Sequence, residues 1–458
     1  MNTNPRSVAR QPSHLKKPIF KWQVFSILSL SLLSGAALLI TPVGKRLVAR
    51  SEPLYAYPFT LSLKSDNQQT VESAISLYQG RVQQRPADGL DRAALAGAYL
   101  KMARVTGAAN WYLLAEQEAQ QSLANLPFNN DGAVMVLAEI AQARHEFAEA
   151  VRLANQVSGA KSLTVVVTSK LAMGELAEAE TAAEAMVNFV PSLGSLSFRG
   201  LVRMAQGNQA GALSDFQQAI AAEEPGEQRG SAQVRTFLGR LYAQQGKSEQ
   251  AEKLYRESLE IVPGYPLALQ HLAQLETRLG HYRAARRQYS RLGEWASLQG
   301  VSLQGIARVN ALQGKSADIE WENAEMALRS QIDQNALGHR RDLAHLLLER
   351  GRDQDVSEAI ALMQTEAQNR RDAETLDLLA WALLRGERTQ EAIAVIREAL
   401  DQGVQEPGIF YRAADIETAL NNSDQAEEYI RLAQSIDPTF NQQTRQRLGL
   451  VTQLINQQ

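Results

Sequence analysis

Four side chains with metal-ligating chemistry lie close together in the sequence: His339, Asp342, His345 and Glu349. On a helix, this spacing places them within about 120° of arc on one face. Two imidazoles and two carboxylates form a ligand set that divalent transition metals accept. Histidines near carboxylates are also common on solvated helix faces. The sequence favours the second interpretation, in which neither a metal nor any other cofactor is bound.

Two Gly-Lys-Ser triplets, at 246–248 and 314–316, resemble the end of a phosphate-binding loop. Such a loop also needs a glycine five residues before the triplet, where Leu241 and Val309 stand instead. The chain contains no cysteine, which excludes thiolate nucleophiles and cysteine-ligated metals. No strand–turn–helix context for a nucleophile elbow is predicted. We therefore predict that the protein is not an enzyme and takes no small-molecule substrate.

A recurring pattern of small, aromatic and proline residues identifies the elements that position these side chains. In its fullest copy it comprises Gly239, Tyr242, Gly246, Ala251, Tyr255 and Pro263, and later units place Ala285, Ala392, Ala426 and Pro438 at equivalent positions. Small residues suit the point where two antiparallel helices cross. A glycine between the helices can adopt the left-handed conformation that ends the first one, and the residue before a proline is disfavoured in a helix, so the proline marks the end of the second.

This pattern resembles the signature of the tetratricopeptide repeat (TPR), a helical hairpin of about 34 residues. The resemblance implies an all-α, right-handed solenoid of about ten units over residues 67–440, because single hairpins cannot bury their apolar faces alone. An opening half-hairpin is expected at 67–88 and a capping helix at 441–458. Departures are an insertion at 106–111, a degenerate unit at 300–333 and three extra residues around 353–356.

The resemblance also implies a partner-binding groove lined by the first helix of each hairpin. Carried over to this sequence, the groove residues are Arg240, Gln274, Arg278, Arg308, Trp381 and Tyr411. Arginine suits carboxylate capture, and tryptophan or tyrosine suits the anchoring of an apolar side chain. We therefore predict a protein or peptide client with an acidic or C-terminal carboxylate segment. The alternative is that the arginines are merely solvated.

An uncharged segment at 22–44 would be about 34 Å long as a helix, enough to span a bilayer of roughly 30 Å. Five basic residues precede it and three follow it, which favours a cytoplasmic arm at 1–21. Prolines in the following residues, 45–66, predict a linker that holds the body off the membrane. A cleavable signal with its site near 35–37 is the competing interpretation.

The charge distribution separates this N-terminal part from the remainder of the chain. Residues 1–58 carry a net charge of +7 and residues 59–458 carry −10, which argues against nucleic-acid binding by the body. Taken together, the sequence predicts a single-pass inner-membrane protein with a periplasmic TPR scaffold. The alternatives are a chaperone-like delivery factor, of the type used in cytochrome c maturation, and a component of polysaccharide or pilus export machinery.

Overall fold

The computed structural model describes residues 52–61, 68–333 and 339–451. The described residues form α-helices, short 3-10 helices and loops, without a β-strand, so the predicted all-α repeat solenoid is confirmed. Within them, none of the helices combines the length and the apolar character needed to span a bilayer. The predicted arm at 1–21 and the predicted membrane segment at 22–44 lie outside the described residues.

The described helices form ten consecutive antiparallel hairpins between one helix that precedes them and one that follows. The preceding helix is α1, Gln68–Gln84. The hairpins are α2 Gly89–Thr106 with α3 Asn110–Asn125, α4 Asp131–Ala143 with α5 Phe147–Ala154, α6 Ala160–Ala172 with α7 Leu176–Phe189, α8 Leu193–Ala205 with α9 Gln209–Ala221, α10 Gln228–Gln244 with α11 Ser248–Ile261, α12 Pro266–Arg278 with α13 Tyr282–Leu292, α14 Gln299–Leu312 with α15 Asp318–Asp333, α16 Arg340–Arg350 with α17 Val356–Glu366, α18 Ala373–Arg385 with α19 Thr389–Asp401, and α20 Pro407–Ala419 with α21 Ser423–Ile436. The last described helix is α22, Gln442–Leu448.

The repeat positions explain why each pair of helices packs so closely. Ala251 of α11 is completely buried, and a Cβ on Gly239 of α10 would lie 2.6 Å from the ring of Tyr255. The same arrangement recurs in the preceding hairpin, where a Cβ on Gly200 would meet the ring of Phe216 at 2.7 Å. The equivalent alanines Ala285, Ala392 and Ala426 are also buried, whereas Tyr242 is half-buried and Pro263 and Pro438 are exposed just beyond their helices.

The irregular units retain the hairpin form. At the insertion, Gly107 ends α2 in the left-handed conformation, and Trp111 stacks on Tyr99 with ring centroids 5.7 Å apart. In the degenerate unit Ile319 is exposed, while Trp321 is buried and fills the core. The extra residues near 353 form a 3-10 helix, Asp353–Asp355, which leads into α17.

The solenoid turns back on itself, so that loops far apart in the sequence touch. We call this line of contact the seam. The main-chain nitrogen of Arg371 donates to the carbonyl of Ala172 at 2.8 Å, and His145 lies 2.5 Å from Glu366 across 221 residues. Gly174 has φ +73°, and a Cβ there would lie 2.6 Å from the carbonyl oxygen of Arg371. Glycine between the two helices of a repeat therefore does more than end the first helix, because it also lets the seam close.

The segment that follows the predicted membrane span is not a free spacer over its described part. Residues 52–61, which we call the N-terminal strap, lie against the solenoid. The carboxylate of Glu257 accepts hydrogen bonds from the main-chain nitrogens of Leu54 at 2.5 Å and Tyr55 at 3.3 Å. Arg235 donates to the carbonyl of Tyr55 at 2.9 Å. The sequence predicts a linker for prolines at this spacing, but proline in an extended segment is equally compatible with docking.

Candidate functional site

The inner side of the solenoid contains a cavity of about 550 Å³. It is lined by the first helices α10, α12, α16, α18 and α20 and by the end of α22. Its walls carry charged and amide side chains together with apolar ones, including Arg240, Gln274, Arg278, Glu374, Asp377 and Glu406. The first helices therefore form an inner groove, as the resemblance implies.

The charges of this groove are largely paired within the chain. Arg240, a predicted groove residue, forms an ion pair with Glu374 of α18. The positive charge of Arg240 outweighs the effect of burial and lowers the pKa of Glu374 to about 2, so this carboxylate is ionised at neutral pH. Glu406 accepts a hydrogen bond from Gln244 at 2.5 Å, and burial raises its pKa above the usual value.

Two further predicted arginines are also engaged. Arg278 lies 2.5 Å from Asp437 and 2.7 Å from the hydroxyl of Thr439, at the loop that leads into α22. Arg308 of α14 is only 4% exposed, and its guanidinium forms two hydrogen bonds, of 2.5 and 2.7 Å, with Glu349 of α16. Arg308 therefore does not offer a free charge to a client, in contrast to the prediction, because a buried guanidinium needs a counter-charge from its own fold.

The predicted aromatic anchors are covered as well. Trp381 is 3% exposed, and the guanidinium of Arg412 lies 4.5 Å from its ring centroid. Tyr411 stacks on Phe440 with centroids 5.7 Å apart, and its hydroxyl donates to the carbonyl of Phe440 at 3.0 Å. The anchors thus contact groups of the same chain, Trp381 the guanidinium of Arg412 and Tyr411 the ring and carbonyl of Phe440.

Gln274 remains at the cavity wall beside His271, whose pKa burial lowers to about 4. At neutral pH this imidazole is uncharged. The predicted residues from α10 and α12 therefore meet at the cavity, as the stacking of first helices implies, whereas Arg308 and Trp381 lie beneath its surface.

The metal-ligand candidates do not converge. His339 pairs with Asp342 at 3.2 Å, while the carboxylate of Glu349 is held by Arg308. His345 lies 2.8 Å from Gln304 through its Nδ1 atom and 3.0 Å from the carbonyl of Gly449 through its Nε2 atom. Over residues 52–61, 68–333 and 339–451, no group of three or more histidine, aspartate or glutamate side chains is arranged to hold a metal ion.

Part of the inner groove, beside the cavity, is occupied by residues 441–451, which we call the C-terminal segment. Within it, α22 ends at Leu448 and Gly449 adopts φ +70°. The Gly449 carbonyl faces Nε2 of His345, and the Leu450 carbonyl accepts a hydrogen bond from Arg412 at 2.7 Å. The sequence predicts a capping helix through 458, but Gly449 ends the helix, a signal that glycine after a basic last turn could have supplied.

Sequence reasoning missed the residues that hold this segment. The sequence indicates His345 only as a metal candidate, and no local pattern singles out Arg412. The neutral form of the His345 side chain explains its role. The Nδ1 atom accepts a hydrogen bond from the Gln304 amide, so the ring hydrogen is on Nε2 and is donated to the Gly449 carbonyl. The site therefore holds two main-chain carbonyls, one through a neutral imidazole and one through a guanidinium.

Comparison with known families agrees with the hairpin geometry. Residues 192–264 and 378–439 each match sequence models described as tetratricopeptide repeat. These two stretches of the chain are thus similar to tetratricopeptide repeats. TPR arrays are in general scaffolds for protein–protein interaction. No curated protein matches the sequence.

Several solved structures resemble the described helical solenoid at low sequence identity. A tetratricopeptide repeat protein from Parabacteroides merdae is 17% identical, with a TM-score of 0.34, covering 64% of this chain and 99% of the other. The Cut9–Hcn1 hetero-tetramer of the APC/C is 11% identical, with a TM-score of 0.39, and the match covers 83% of this chain and 93% of the other. The human IFIT1 dimer with PPP-AAAA is 16% identical, with a TM-score of 0.43, and the match covers 73% of this chain and 78% of the other.

Proposed function

We propose that the protein is a non-enzymatic scaffold of the cell envelope whose inner groove binds an extended segment of a client protein. The observation that carries this proposal is that the groove already binds polypeptide, namely residues 449–450 of its own chain through their carbonyls. TPR repeats are interaction modules, and the cavity beside these residues is lined by side chains from five first helices. A site built to hold main-chain carbonyls and an apolar side chain is suited to a peptide.

Position-specific cross-linking tests the groove as the binding surface. A photoreactive amino acid replaces Gln274 at the cavity wall, and a matched variant carries it at Glu249, which is exposed on α11. Irradiation of intact source cells should yield a discrete client adduct at position 274 and none at 249. Equal adducts at both positions, or an adduct only at 249, would move the binding surface to the outer helices.

We further propose that residues 22–44 anchor the protein in the inner membrane with the TPR body in the periplasm. The support is the sequence: an uncharged stretch of bilayer-spanning length with more basic residues before it than after it. An enzyme that is active only outside the cytoplasm, fused after Gln458, should be active. Activity of a cytoplasm-only reporter at the same position would contradict this topology, and a mature N-terminus near residue 37 would indicate cleavage instead of anchoring.

A further inference from the structure

The C-terminal segment does not extend the solenoid as another stacked helix would. Its helix α22 packs on α12 and α14, which precede it by more than one hundred residues, at the inner face of the array. Arg447 donates to the carbonyl of Arg278 at the end of α12 at 2.9 Å. A short helix that lies across the first helices of distant repeats has the position of a bound ligand.

The contacts at the start of this segment select for positive charge. Arg445 forms an ion pair with Asp415 of α20, with one nitrogen–oxygen distance of 3.3 Å, and its guanidinium lies 5.2 Å from the ring centroid of Tyr411. Arg447 adds a second guanidinium against α12. The groove arginines, in contrast, are paired with Glu374, Asp437 and Glu349 of the same chain. An acidic client would have to break those pairs, whereas a basic one matches the carboxylates that face it.

The next contact selects for glycine. Gly449 lies directly on the buried pair of Arg308 and Glu349, and a Cβ at this position would be 2.5 Å from both Nε of the arginine and a carboxylate oxygen of the glutamate. Its positive φ adds a backbone requirement that glycine meets most easily. No other residue type fits at this point without movement of an ion pair that is itself fully enclosed.

The last contact selects for an apolar side chain. A Cβ on Gly408 would lie 3.4 Å from the Leu450 side chain and 3.8 Å from the Phe440 ring, which are ordinary contact distances, so the Leu450 side chain lies against the start of α20. Leu448 and Leu450 both line the cavity. Arg412 holds the Leu450 carbonyl and is itself fixed against Trp381, which gives this end of the segment a defined position.

We propose that the inner groove recognises a protein segment in which basic residues on a short helix precede a glycine that is followed by an apolar residue, and that the chain's own residues 445–450 occupy this site as an intramolecular ligand. This inference rests on the proposed scaffold function and names the chemistry of its client. The client displaces the C-terminal segment by placing a basic side chain at Asp415, a glycine on the Arg308–Glu349 pair and an apolar side chain where Leu450 now lies.

A labelled peptide of the segment itself tests the inference in the full chain. The fluorescent peptide Asn441–Val451 is titrated against the wild-type protein and against Gly449→Val, whose side chain cannot lie on the buried ion pair. The matched control is Gly314→Val, because Gly314 has φ +68° but no atom within 4 Å of its Cβ position. Both variants carry the same backbone strain, and only Gly449→Val should expose the groove.

Gly449→Val should bind the peptide at least tenfold more tightly than the wild type or Gly314→Val, and hydrogen exchange should show that its α22 is released. Peptides with Arg445→Ala, Gly449→Val or Leu450→Asp should each bind that variant at least tenfold more weakly than the native peptide. Full-length Leu450→Asp is a second releasing variant for the case in which Gly449→Val fails to fold.

Three outcomes would overturn the inference. The first is a released α22 without peptide binding, the second is an α22 that stays protected in both releasing variants, and the third is equal binding of all four peptides. None of them touches the scaffold function, which fails separately if cross-linking at position 274 captures no client in either the wild type or the releasing variant.

Discussion

The two ends of the described chain both fold back onto the middle of the solenoid, and they do so by different means. The N-terminal strap lies on α9 and α11, where Gln217 donates to the Tyr55 hydroxyl and Glu257 holds the strap backbone. The C-terminal segment lies on first helices at the inner face. Each contact is built over a buried arginine with a glutamate partner: Arg235 with Glu223 beneath the strap, and Arg308 with Glu349 beneath Gly449.

The difference lies in which groups are recognised. Glu257 accepts main-chain N–H groups of the strap and Arg235 donates to a strap carbonyl, contacts that almost any sequence could supply. At the other end, the pair beneath Gly449 leaves no space for a Cβ, and Asp415 binds a particular arginine. A buried ion pair can therefore bind a segment of almost any sequence when it faces main-chain groups. It can instead select one residue type when it faces the position of a side chain.

Removing the glutamate beneath Gly449 should have the largest effect. Glu349→Gln leaves the buried Arg308 without a counter-charge, and breaking such a pair costs about 3–5 kcal/mol. We expect fast hydrogen exchange in α14 and α16 together with release of the C-terminal segment. Glu391→Gln, at the exposed pair with Arg388, is the matched control and should leave exchange unchanged. Unaltered protection of α14 in Glu349→Gln would show that the pair does not support the groove.

Weakening the clamp at the other end should have an intermediate effect. Glu257→Ala removes the acceptor of two main-chain hydrogen bonds, which we expect to cost about 1–3 kcal/mol of strap docking. Chymotrypsin should then cleave after Tyr55 and Phe59 about tenfold faster, while α22 stays protected. Glu249→Ala on the same helix is the control. Simultaneous loss of α22 protection would mean that the two ends are coupled and not independent clamps.

The smallest expected effect is a pH dependence of the C-terminal segment. Burial is the main reason that the pKa of His345 lies below its usual value; the Arg308 charge lowers it further, whereas Glu349, Asp342 and the Gly449 carbonyl oppose the shift. For a base with a lowered folded pKa, stability is complete above the unfolded pKa, near 6.5, and is lost as pH falls through that value toward the folded one. The segment should therefore dock less tightly at pH 5 than at pH 7.5.

The strap should respond in the opposite direction. Burial raises the pKa of Glu257, although the main-chain donors of Leu54 and Tyr55 and the Arg235 charge oppose the shift. For an acid with a raised folded pKa, stability is lost as pH rises from the unfolded pKa through the folded one. Because the chain has no cysteine, a single cysteine at Ala56 or at Gln443 can carry a dye whose anisotropy reports each end. Parallel pH responses at the two positions would contradict this contrast.

The sequence was sufficient to predict the hairpins but not the contacts between distant ones. Gly239 and Ala251 follow from the packing of two adjacent helices, which repeat spacing records directly. The pairing of Arg240 with Glu374 joins residues 134 apart, and no local pattern encodes it. The partners of Arg240 and Arg278, Glu374 and Asp437, come near only through the curvature of the whole array, whereas Arg308 is neutralised by Glu349 of the next hairpin.

The seam also constrains how many repeats the protein can contain. An open array can lose or gain a unit at little cost, since each repeat meets only its neighbours. Here the loops at Gly174, Gly207 and Gly246 meet those at Arg371, Gly403 and Asp437 in register. Deleting one hairpin between them would displace every later loop from its glycine partner at once. The number of repeats is therefore a fixed property of this fold. Recombination among its units should preserve the contacts of the seam only when the loops on both sides of the seam change together.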